Sequence, residues 1–356
     1  MKLLISSRAA LAATLFSLMA CGDRADDGTP ATARILEIEK VSEGSGVQLF
    51  KPVAVESRPD GLYVLDAGHS GLYRFTQGRV DTIARSGKGP GELSRPSAMA
   101  WWGDSLLVVV DEGNARVQVL GPDRTVRRMV PLGGGAISAV LDPERGHLYV
   151  ADFGRNFALM GSQPILKTDS LVRVVDLHDG KVLREFGTPR PYEGKVIPIL
   201  GNYVSLARNP TTGEIWVSWP LEPISTLYSG DGMLRRQVTR TLGFTPAASR
   251  EEPNPGSPLP LPRADVQRVT FGTAIDRTGA FYVLTAREPK KLPAWDSNYT
   301  EPRQSVQIFG PASPTPACRV DLPITGDFIA LDGENSLLLM DVSTEGEVYR
   351  IRYSCT

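Results

Sequence analysis

The residues with the most obvious chemical potential are the glycines of the hexapeptide GKGPGE, which begins at Gly87. Such glycines can form a phosphate-binding loop when the loop lies directly between a strand and a helix, because backbone N–H groups and the helix dipole then face the anion. Here Pro96 and a strand-like run follow, and Lys88 is not followed by Ser or Thr. We therefore interpret the hexapeptide as a connection between strands, whose glycines permit positive φ.

Histidine and serine chemistry has as little support. The histidines are His69, His147 and His178, and no two of them have the spacing of metal ligands. The tetrad GHSG around Ser70 lacks both the G-x-S-x-G spacing and the strand-to-helix turn of a serine hydrolase. The sequence predicts neither a zinc site nor a serine nucleophile.

Aspartates recur where strand-like runs end, at Asp66, Asp111, Asp152 and Asp341. If such carboxylates converged on one face they could bind calcium, as the central metal of gluconolactonase-type lactonases is bound by Glu, Asn and Asp. The other interpretation is structural: each Asp accepts backbone N–H bonds and orders the next loop. Recurrence at the same place favours the structural role, because a metal site would need different residues from successive repeats. Asn114 and Arg116 are expected to brace the chain in the same way.

The N-terminus has the features of a secretory signal. Lys2 and Arg8 come before an uncharged stretch that runs up to Cys21. This stretch is too short to span a bilayer. The sequence Leu-Met-Ala-Cys ending at Cys21 resembles the bacterial lipobox, whose cysteine becomes the lipidated first residue; ordinary cleavage beside an incidental cysteine is the alternative. The polar segment that follows indicates a flexible tether. We predict a signal peptide over 1–20, a tether over 21–33 and a folded domain over 34–356.

Composition excludes some classes of function. Lys plus Arg number 39 and Asp plus Glu 40, so the chain has no basic surface excess of the kind that binds nucleic acid. With 35 glycines and 28 prolines the chain turns often, and short β-branched runs replace helical periodicity. The sequence therefore predicts an all-β protein.

The two remaining cysteines are Cys318 and Cys355. In an oxidising compartment they could pair in a disulfide. Two separate buried thiols are the alternative, and the sequence leaves both open.

A repeated unit organises the folded part. Similar phrases follow short lead-in strands six times; they begin at Gly61, Asp104, Gly146, Gly213, Gly279 and Asn335. Their spacing suits the four-stranded blades of a six-bladed β-propeller. The last copy has no room for a fourth strand, so we predict that the N-terminal strand beginning near Ala33 completes it and closes the ring.

The phrase GKGPGELSRPSAMAWWGDSLLVVVDEGNARVQVL resembles an NHL-type repeat. The matching positions in the second half are Val109, Asp111, Asn114, Arg116, Val117 and Gln118, and those in the first half are Gly87, Gly89, Gly91, Leu93 and Pro96. With the lipobox, the chain is similar to bacterial six-bladed β-propeller lipoproteins. This resemblance implies an architecture and no activity.

Loop length points to the functional face. The connections between blades, and those between second and third strands, share one end of a propeller and hold nearly all the extra sequence. Long loops on a rigid scaffold are common binding sites, although decoration without function is the alternative. Their aromatic and cationic residues are the predicted contact residues: Phe153, Arg155, Tyr192, Trp219, Arg287, Lys290, Trp295 and Tyr299.

These features predict a monomeric, lipid-anchored envelope protein that binds a protein, peptide or glycan through its long loops, without catalysis or a cofactor. Gly22 after the cysteine gives no inner-membrane retention signal, which favours the outer membrane. The alternatives are a metal-dependent propeller enzyme, lactonase-like or a lyase, with calcium in the central channel, and a structural subunit of an envelope complex.

Overall fold

A computed structural model describes residues 30–355 apart from 44, 133–135, 153–156, 161–162, 167–169, 256–260, 294, 297–299 and 343–345. Within 152–169 it describes the backbone of the strands alone. The lipidation candidate Cys21 and the predicted signal peptide lie outside the described residues. Among those residues, no helix has the length and apolar composition needed to cross a bilayer.

The first half of the described chain forms three blades after two N-terminal strands. The N-terminal strands are β1 (Ala31–Thr32) and β2 (Arg34–Lys40). The first blade contains β3 (Pro52–Arg58), β4 (Gly61–Asp66), β5 (Gly71–Thr76), β6 (Arg79–Ser86) and β7 (Glu92–Leu93). The second contains β8 (Ala98–Trp102), β9 (Leu106–Asp111), β10 (Arg116–Leu120) and β11 (Val126–Pro131). The third contains β12 (Ala136–Asp142), β13 (His147–Asp152), an inserted hairpin of β14 (Phe157–Met160) and β15 (Gln163–Leu166), then β16 (Val172–Asp176) and β17 (Val182–Phe186).

The second half forms the other three blades. A short helix α1 (Ile197–Gly201) precedes the fourth blade, which contains β18 (Ser205–Arg208), β19 (Ile215–Ser218), β20 (Ile224–Tyr228) and β21 (Leu234–Thr239). A hairpin of β22 (Arg250–Glu252) and β23 (Arg263–Asp265) leads to the fifth, which contains β24 (Thr270–Ile275), β25 (Phe281–Ala286), β26 (Gln304–Phe309) and β27 (Pro316–Asp321). The sixth contains β28 (Phe328–Leu331), β29 (Ser336–Asp341) and β30 (Glu347–Ser354).

The blades form a closed six-bladed β-propeller, as the repeat predicted. Each blade is an antiparallel sheet, and its innermost strand contacts the innermost strands of both neighbouring blades. The second strands are apolar on both faces because each face packs against another blade: Val64, Val109 and Leu338 are all fully buried. The core therefore lies between the blades and surrounds a central channel.

The N-terminal strand closes the ring, which confirms the predicted closure. β2 pairs antiparallel with β30, with Ile38 opposite Ile351 and Glu39 opposite Arg350. The chain joins the fold earlier than the predicted boundary at Arg34, because β1 pairs in parallel with β27 of the fifth blade. The last residues assigned to the tether by sequence thus belong to a sheet.

A disulfide joins Cys318 and Cys355, whose Cα atoms are 6.1 Å apart. Cys318 lies on the outer strand β27 and Cys355 directly follows β30. The bond therefore links the fifth and sixth blades beside the closing strand.

The two ends of the propeller differ. Tight turns between first and second strands, and between third and fourth strands, occupy one end, which we call the short-turn face; it includes 59–60, 103–105, 177–181 and 276–280. The connections between blades, and those between second and third strands, occupy the other end, which we call the long-loop face. It includes the described parts of 187–204, 240–269 and 287–303.

Candidate functional site

A cavity of about 450 Å³ occupies the central channel and is lined by all six innermost strands. Ligand pockets commonly have volumes of about 300–1,000 Å³, so the cavity is large enough for a small molecule or a long side chain. Its walls are mainly apolar; they include Val55, Met99, Ile137, Leu206, Phe271 and Ile329.

The mouth of the cavity opens on the long-loop face. Leu200, Tyr203 and Leu221 lie at this opening, and Tyr203 is 46% exposed. An ion pair completes the rim: Arg268 Nη1 lies 2.6 Å from Asp327 Oδ1. The mouth therefore combines apolar side chains with one neutralised pair of charges.

Two further contacts fix this ion pair. The Arg268 guanidinium lies over the ring of Phe271, 4.5 Å from its centroid, and Val342 N donates to Asp327 Oδ2 at 3.2 Å. A cation over an aromatic face is stabilised by the ring quadrupole. Both charges are thus held in place by the propeller itself.

A single carboxyl lies deeper in the channel. The lining residues of β3 are Val53, Ala54, Val55 and Glu56, and β3 starts at the long-loop face, so Glu56 is the one furthest from the mouth. No hydrogen-bond donor in the described part of the chain reaches its carboxyl group. Burial raises the pKa of Glu56 to about 7, and the positive charge of Arg58 offsets part of that rise.

Hydroxyl groups supply the other polar atoms of the wall. Ser205 Oγ and Thr273 Oγ1 are hydrogen-bonded at 2.9 Å, and Leu206 N donates to Ser138 Oγ at 3.1 Å. Ser97 Oγ is buried and has no partner among the described residues. The described residues of the wall thus offer hydroxyls but no basic group below the mouth.

The channel does not fit a bound metal. Calcium needs six to eight oxygen ligands, most of them carboxylates or carbonyls. Glu56 and Asp327 are the lining carboxylates of the described chain, and Asp327 is paired with Arg268. Across the described residues, no group of three or more His, Cys, Asp or Glu side chains could hold a metal ion. We derive no metal chemistry for this site.

A buried guanidinium lies behind the channel wall. Arg240 is 4% exposed and donates to Ser225 Oγ at 2.9 Å and to Thr270 Oγ1. Burial lowers the pKa of Arg240 to about 9, so it stays protonated at neutral pH. Because Thr270 also lines the cavity, this cation supports the wall without facing the cavity itself.

Tyr192 and Trp219, two predicted contact residues, lie on the long-loop face and are linked through Arg190 and Glu222. Tyr192 Oη donates to Glu222 Oε1 at 2.7 Å, and Arg190 lies 4.7 Å from the Trp219 ring while pairing with Glu222 at 3.2 Å. Trp219 is 2% exposed. Its buried ring supports the loops and does not form an exposed contact surface.

The predicted contact residues of the fifth blade also have internal partners. Arg287 pairs with Asp321 at 2.9 Å, and the buried Lys290 side chain is bonded to Asp265. Trp295 is half-buried beneath Arg263, 4.7 Å from its ring centroid. As with Trp219, burial makes Lys290 a support of the loop. Phe153, Arg155 and Tyr299 lie outside the described residues.

One carboxylate fastens two of the long loops to each other. Glu251 Oε1 accepts N–H bonds from Lys195, Val196 and Ile197 at 2.6–2.9 Å. Partial burial alone would raise the pKa of Glu251, but these three donors together lower it. Helix α1 is thereby attached to β22 beside the mouth.

Of the four repeated aspartates, Asp66 and Asp111 have the geometry of structural residues. Asp66 accepts N–H bonds from Phe50, Lys51 and Gly68 at 2.7–3.0 Å, besides a contact with His69. The side chain of Asp152 is not described, and Asp341 ends β29 opposite Glu347.

Asp111 connects the second blade to the loop before it. It accepts bonds from Ser94 N at 2.6 Å, Asn114 Nδ2 at 2.9 Å and Arg116 Nε at 2.7 Å. Both oxygens of Asp111 thus accept bonds within the fold, and the residue is fully buried, so it is not accessible to a ligand.

The hexapeptide at Gly87 is a braced connection. Asn114 Nδ2 donates to Gly87 O at 3.0 Å and Arg116 Nη2 donates to Gly89 O at 2.7 Å. Gly91 has φ +78°, which a residue with a side chain rarely adopts. The N–H groups of Gly89 and Gly91 are bonded to Glu92 and Gln118, so they are not available to a phosphate.

The sequence did not point to the residues that form the channel site. Glu56, Tyr203, Arg268 and Asp327 come from four separate parts of the chain. The one available signal was a carboxylate within the lead-in strand PVAVES, among residues that otherwise match an inner strand.

No protein-family model matches the chain, and no curated protein sequence matches it. Solved structures do match. A member of the DUF4221 family from Bacteroides vulgatus superposes with a TM-score of 0.57 at 11% identity, covering 92% of this chain and 99% of that one. A Bacteroides fragilis protein inferred to be exported gives a TM-score of 0.56 at 10% identity, covering 90% of this chain and 95% of that one.

Enzymes of the same architecture also match. A gluconolactonase from Xanthomonas campestris gives a TM-score of 0.51 at 13% identity, covering 91% of this chain and 97% of that one. What these structures share with the chain is the propeller fold. At such identities the likeness shows nothing finer, because one fold hosts many unrelated functions.

Proposed function

We propose that this protein is an exported, lipid-anchored binding protein whose long-loop face receives a protein, peptide or glycan partner at the mouth of the central channel. The observation that carries the proposal is the mouth itself: a ligand-sized cavity opens among the long loops, with the exposed Tyr203, two partly buried leucines and a fixed ion pair at its rim. The rigid attachment of α1 by Glu251 supports the same role, because a preorganised surface loses less entropy on binding.

The entry of the chain into the fold supports an orientation. Arg34 pairs with Ser354, at the short-turn end of β30, so the N-terminal segment reaches the propeller from the short-turn face. A lipid on Cys21 would hold that face toward the membrane. The long-loop face would then point away from the membrane and be accessible to a partner.

Several observations support three parts of this proposal: that the protein is exported, that its second blade carries an NHL-type repeat and that it has no catalytic role. The Bacteroides fragilis neighbour is inferred to be exported, and a disulfide is typical of an oxidising compartment. The contacts of Asn114 and Arg116 with the Gly87 loop are what an NHL-type motif would need for its own folding. The channel carboxylates do not suit a metal-dependent hydrolase.

Site-specific photo-crosslinking in intact cells tests the binding role. A benzoylphenylalanine at Tyr203 should crosslink one defined partner, whereas the same group at Lys181, an exposed position on the short-turn face, should not. Leu221→Asp should suppress the Tyr203 crosslink, because a carboxylate would be desolvated at the apolar rim. Equal crosslinking from both positions, or no effect of Leu221→Asp, would contradict the proposal.

Lipid attachment is tested separately. Metabolic labelling with an alkyne fatty acid should label the wild-type protein, and Cys21→Ser should abolish both the label and membrane association. A Cys318→Ser variant is the control for labelling at another cysteine. Retention of the label in Cys21→Ser would contradict the anchor.

A further inference from the structure

The channel contains one carboxyl group that has no ion-pair partner among the described residues. The ionisable side chains lining the cavity in the described chain are Glu56, Tyr203, Arg268 and Asp327. Arg268 and Asp327 neutralise each other at the mouth. Glu56 therefore lies alone below them, without a hydrogen-bond donor.

The nearest cation does not serve as its partner. Arg58 is on the same strand, but its Nη2 donates to Asp104 O at 3.1 Å and its guanidinium lies over the Trp101 ring at 4.7 Å. Its charge offsets only part of the effect of burial on the pKa of Glu56. An ionised carboxylate in such a site is stabilised when a cation enters and desolvates with it.

The walls between the mouth and Glu56 indicate what would carry that cation. Met99, Phe271 and Ile329 present apolar surface to the cavity, which suits methylene groups. The ion pair at the mouth would leave a polar group at the other end of the ligand hydrated or hydrogen-bonded.

Resting on the proposed binding role, we propose that the central channel binds a primary ammonium group on an unbranched alkyl stem, with the Glu56 carboxylate as its counter-charge. The stem passes the apolar wall and the ammonium reaches Glu56. A free alkylamine and a lysine side chain of a peptide share this chemistry, and the experiment separates them.

Methyl NMR titrations of the full-length protein in detergent test the proposal. Met99 lines the channel and is the reporter, while Met129, 47% exposed on β11, is the internal control. The probes are n-butylamine, Nα-acetyl-lysine methylamide and its uncharged counterpart Nα-acetyl-norleucine methylamide. At pH 8 at least one cationic probe should shift Met99 and not Met129, with an affinity about tenfold or more above that of the norleucine derivative.

Substitution and pH then connect binding to Glu56. Glu56→Gln should lower the affinity for the cationic probe about tenfold or more. Glu56→Asp, which keeps the charge, should lower that affinity by a smaller factor. Because the pKa of Glu56 is about 7, lowering the pH from 8 to 5.5 should weaken binding about 30-fold, and Glu56→Gln should remove that dependence. An unchanged Met129 signal and a cooperative thermal denaturation would show that each variant folds.

The outcomes are separable. Binding of butylamine alone assigns a free amine, and binding of the lysine derivative assigns a peptide side chain; both support the proposal. Equal shifts with the norleucine derivative, no shift with either cation, or full affinity in Glu56→Gln would overturn it. The crosslink from Tyr203 could still be found in that case, so failure here is distinct from failure of the binding role.

Discussion

The protonation state of Glu56 links the channel to the stability of the whole domain. The other lining residues of its strand are apolar, so an ionised carboxylate there has little to solvate it. Burial raises the pKa of this carboxyl in the folded state from its usual value of 4.5 to about 7. The protonated carboxyl therefore makes its full contribution to the free energy of unfolding below about pH 4.5. That contribution is lost as the pH rises through about 7.

We expect Glu56→Gln to be no more stable than wild type near pH 4.5 and more stable at pH 8, by up to about 3 kcal/mol in the free energy of unfolding. Urea denaturation at a series of pH values measures this difference. The same substitution at Glu334, an exposed residue in the turn after β28, is the control. If the free energies of unfolding of Glu56→Gln and wild type differed by the same amount across the pH range, the raised pKa of Glu56 would be contradicted.

Residues differ in how far the sequence predicts their role. The structural interpretation of Asp111 could be made from sequence because its partners Asn114 and Arg116 are close in the chain and recur with it. The environment of Glu56 could not, since it depends on five other inner strands far apart in sequence. Trp219 and Lys290 were selected by residue type, and only tertiary packing shows that their side chains are buried.

Among the elements, β2 is expected to have the largest effect on stability, because in the described part of the chain it is the strand that covers the outer edge of β30. It contributes a ladder of backbone bonds from Arg34 to Lys40, and Ile35 packs against the core. An uncovered strand edge leaves a row of backbone groups unpaired. The strand therefore stabilises the ring through its backbone more than through its charges.

Deleting residues 34–40 should destabilise the whole propeller by on the order of 5 kcal/mol, a loss comparable to the total stability of many domains. Urea denaturation followed by tryptophan fluorescence measures it. The control is Glu37→Gln with Glu39→Gln, which removes two exposed ion pairs to Arg352 and Arg350 but keeps the strand; we expect about 1 kcal/mol or less. If the deletion variant denatured like wild type, closure by β2 would not hold the ring.

Element prediction succeeded where the repeat was regular. Apolar runs bounded by tight turns placed the inner and second strands of every blade, and the missing fourth strand of the last blade predicted β2. Helix α1 and the hairpin β22–β23 lie in the long loops and were not predicted. Their conformation depends on tertiary contacts such as those of Glu251 and not on local periodicity.

At the scale of the whole molecule, the disulfide and β2 act at the same seam between the fifth and sixth blades. Cys318 and Cys355 are separated by 37 positions in sequence. A cross-link of that length stabilises mainly by limiting the unfolded chain, by about 3–4 kcal/mol.

Replacing both cysteines by alanine should therefore lower the free energy of unfolding by about 3–4 kcal/mol. Reductant should lower the stability of wild type to that of the double variant and should leave the stability of the double variant unchanged. Thermal denaturation with and without dithiothreitol measures both effects. A wild-type protein whose stability did not respond after verified reduction would contradict a stabilising bond.

The pairing of β2 with β30 also has a consequence for synthesis. The ribosome makes β2 before the six blades and β30 after the other strands of the propeller. β2 must therefore wait until the rest of the propeller has been made before its partner strand exists. Such non-local pairing is slow and keeps strand edges exposed meanwhile. A chain interrupted before Glu347 lacks the strand that pairs with β2. Folding itself therefore distinguishes a complete propeller from a truncated one.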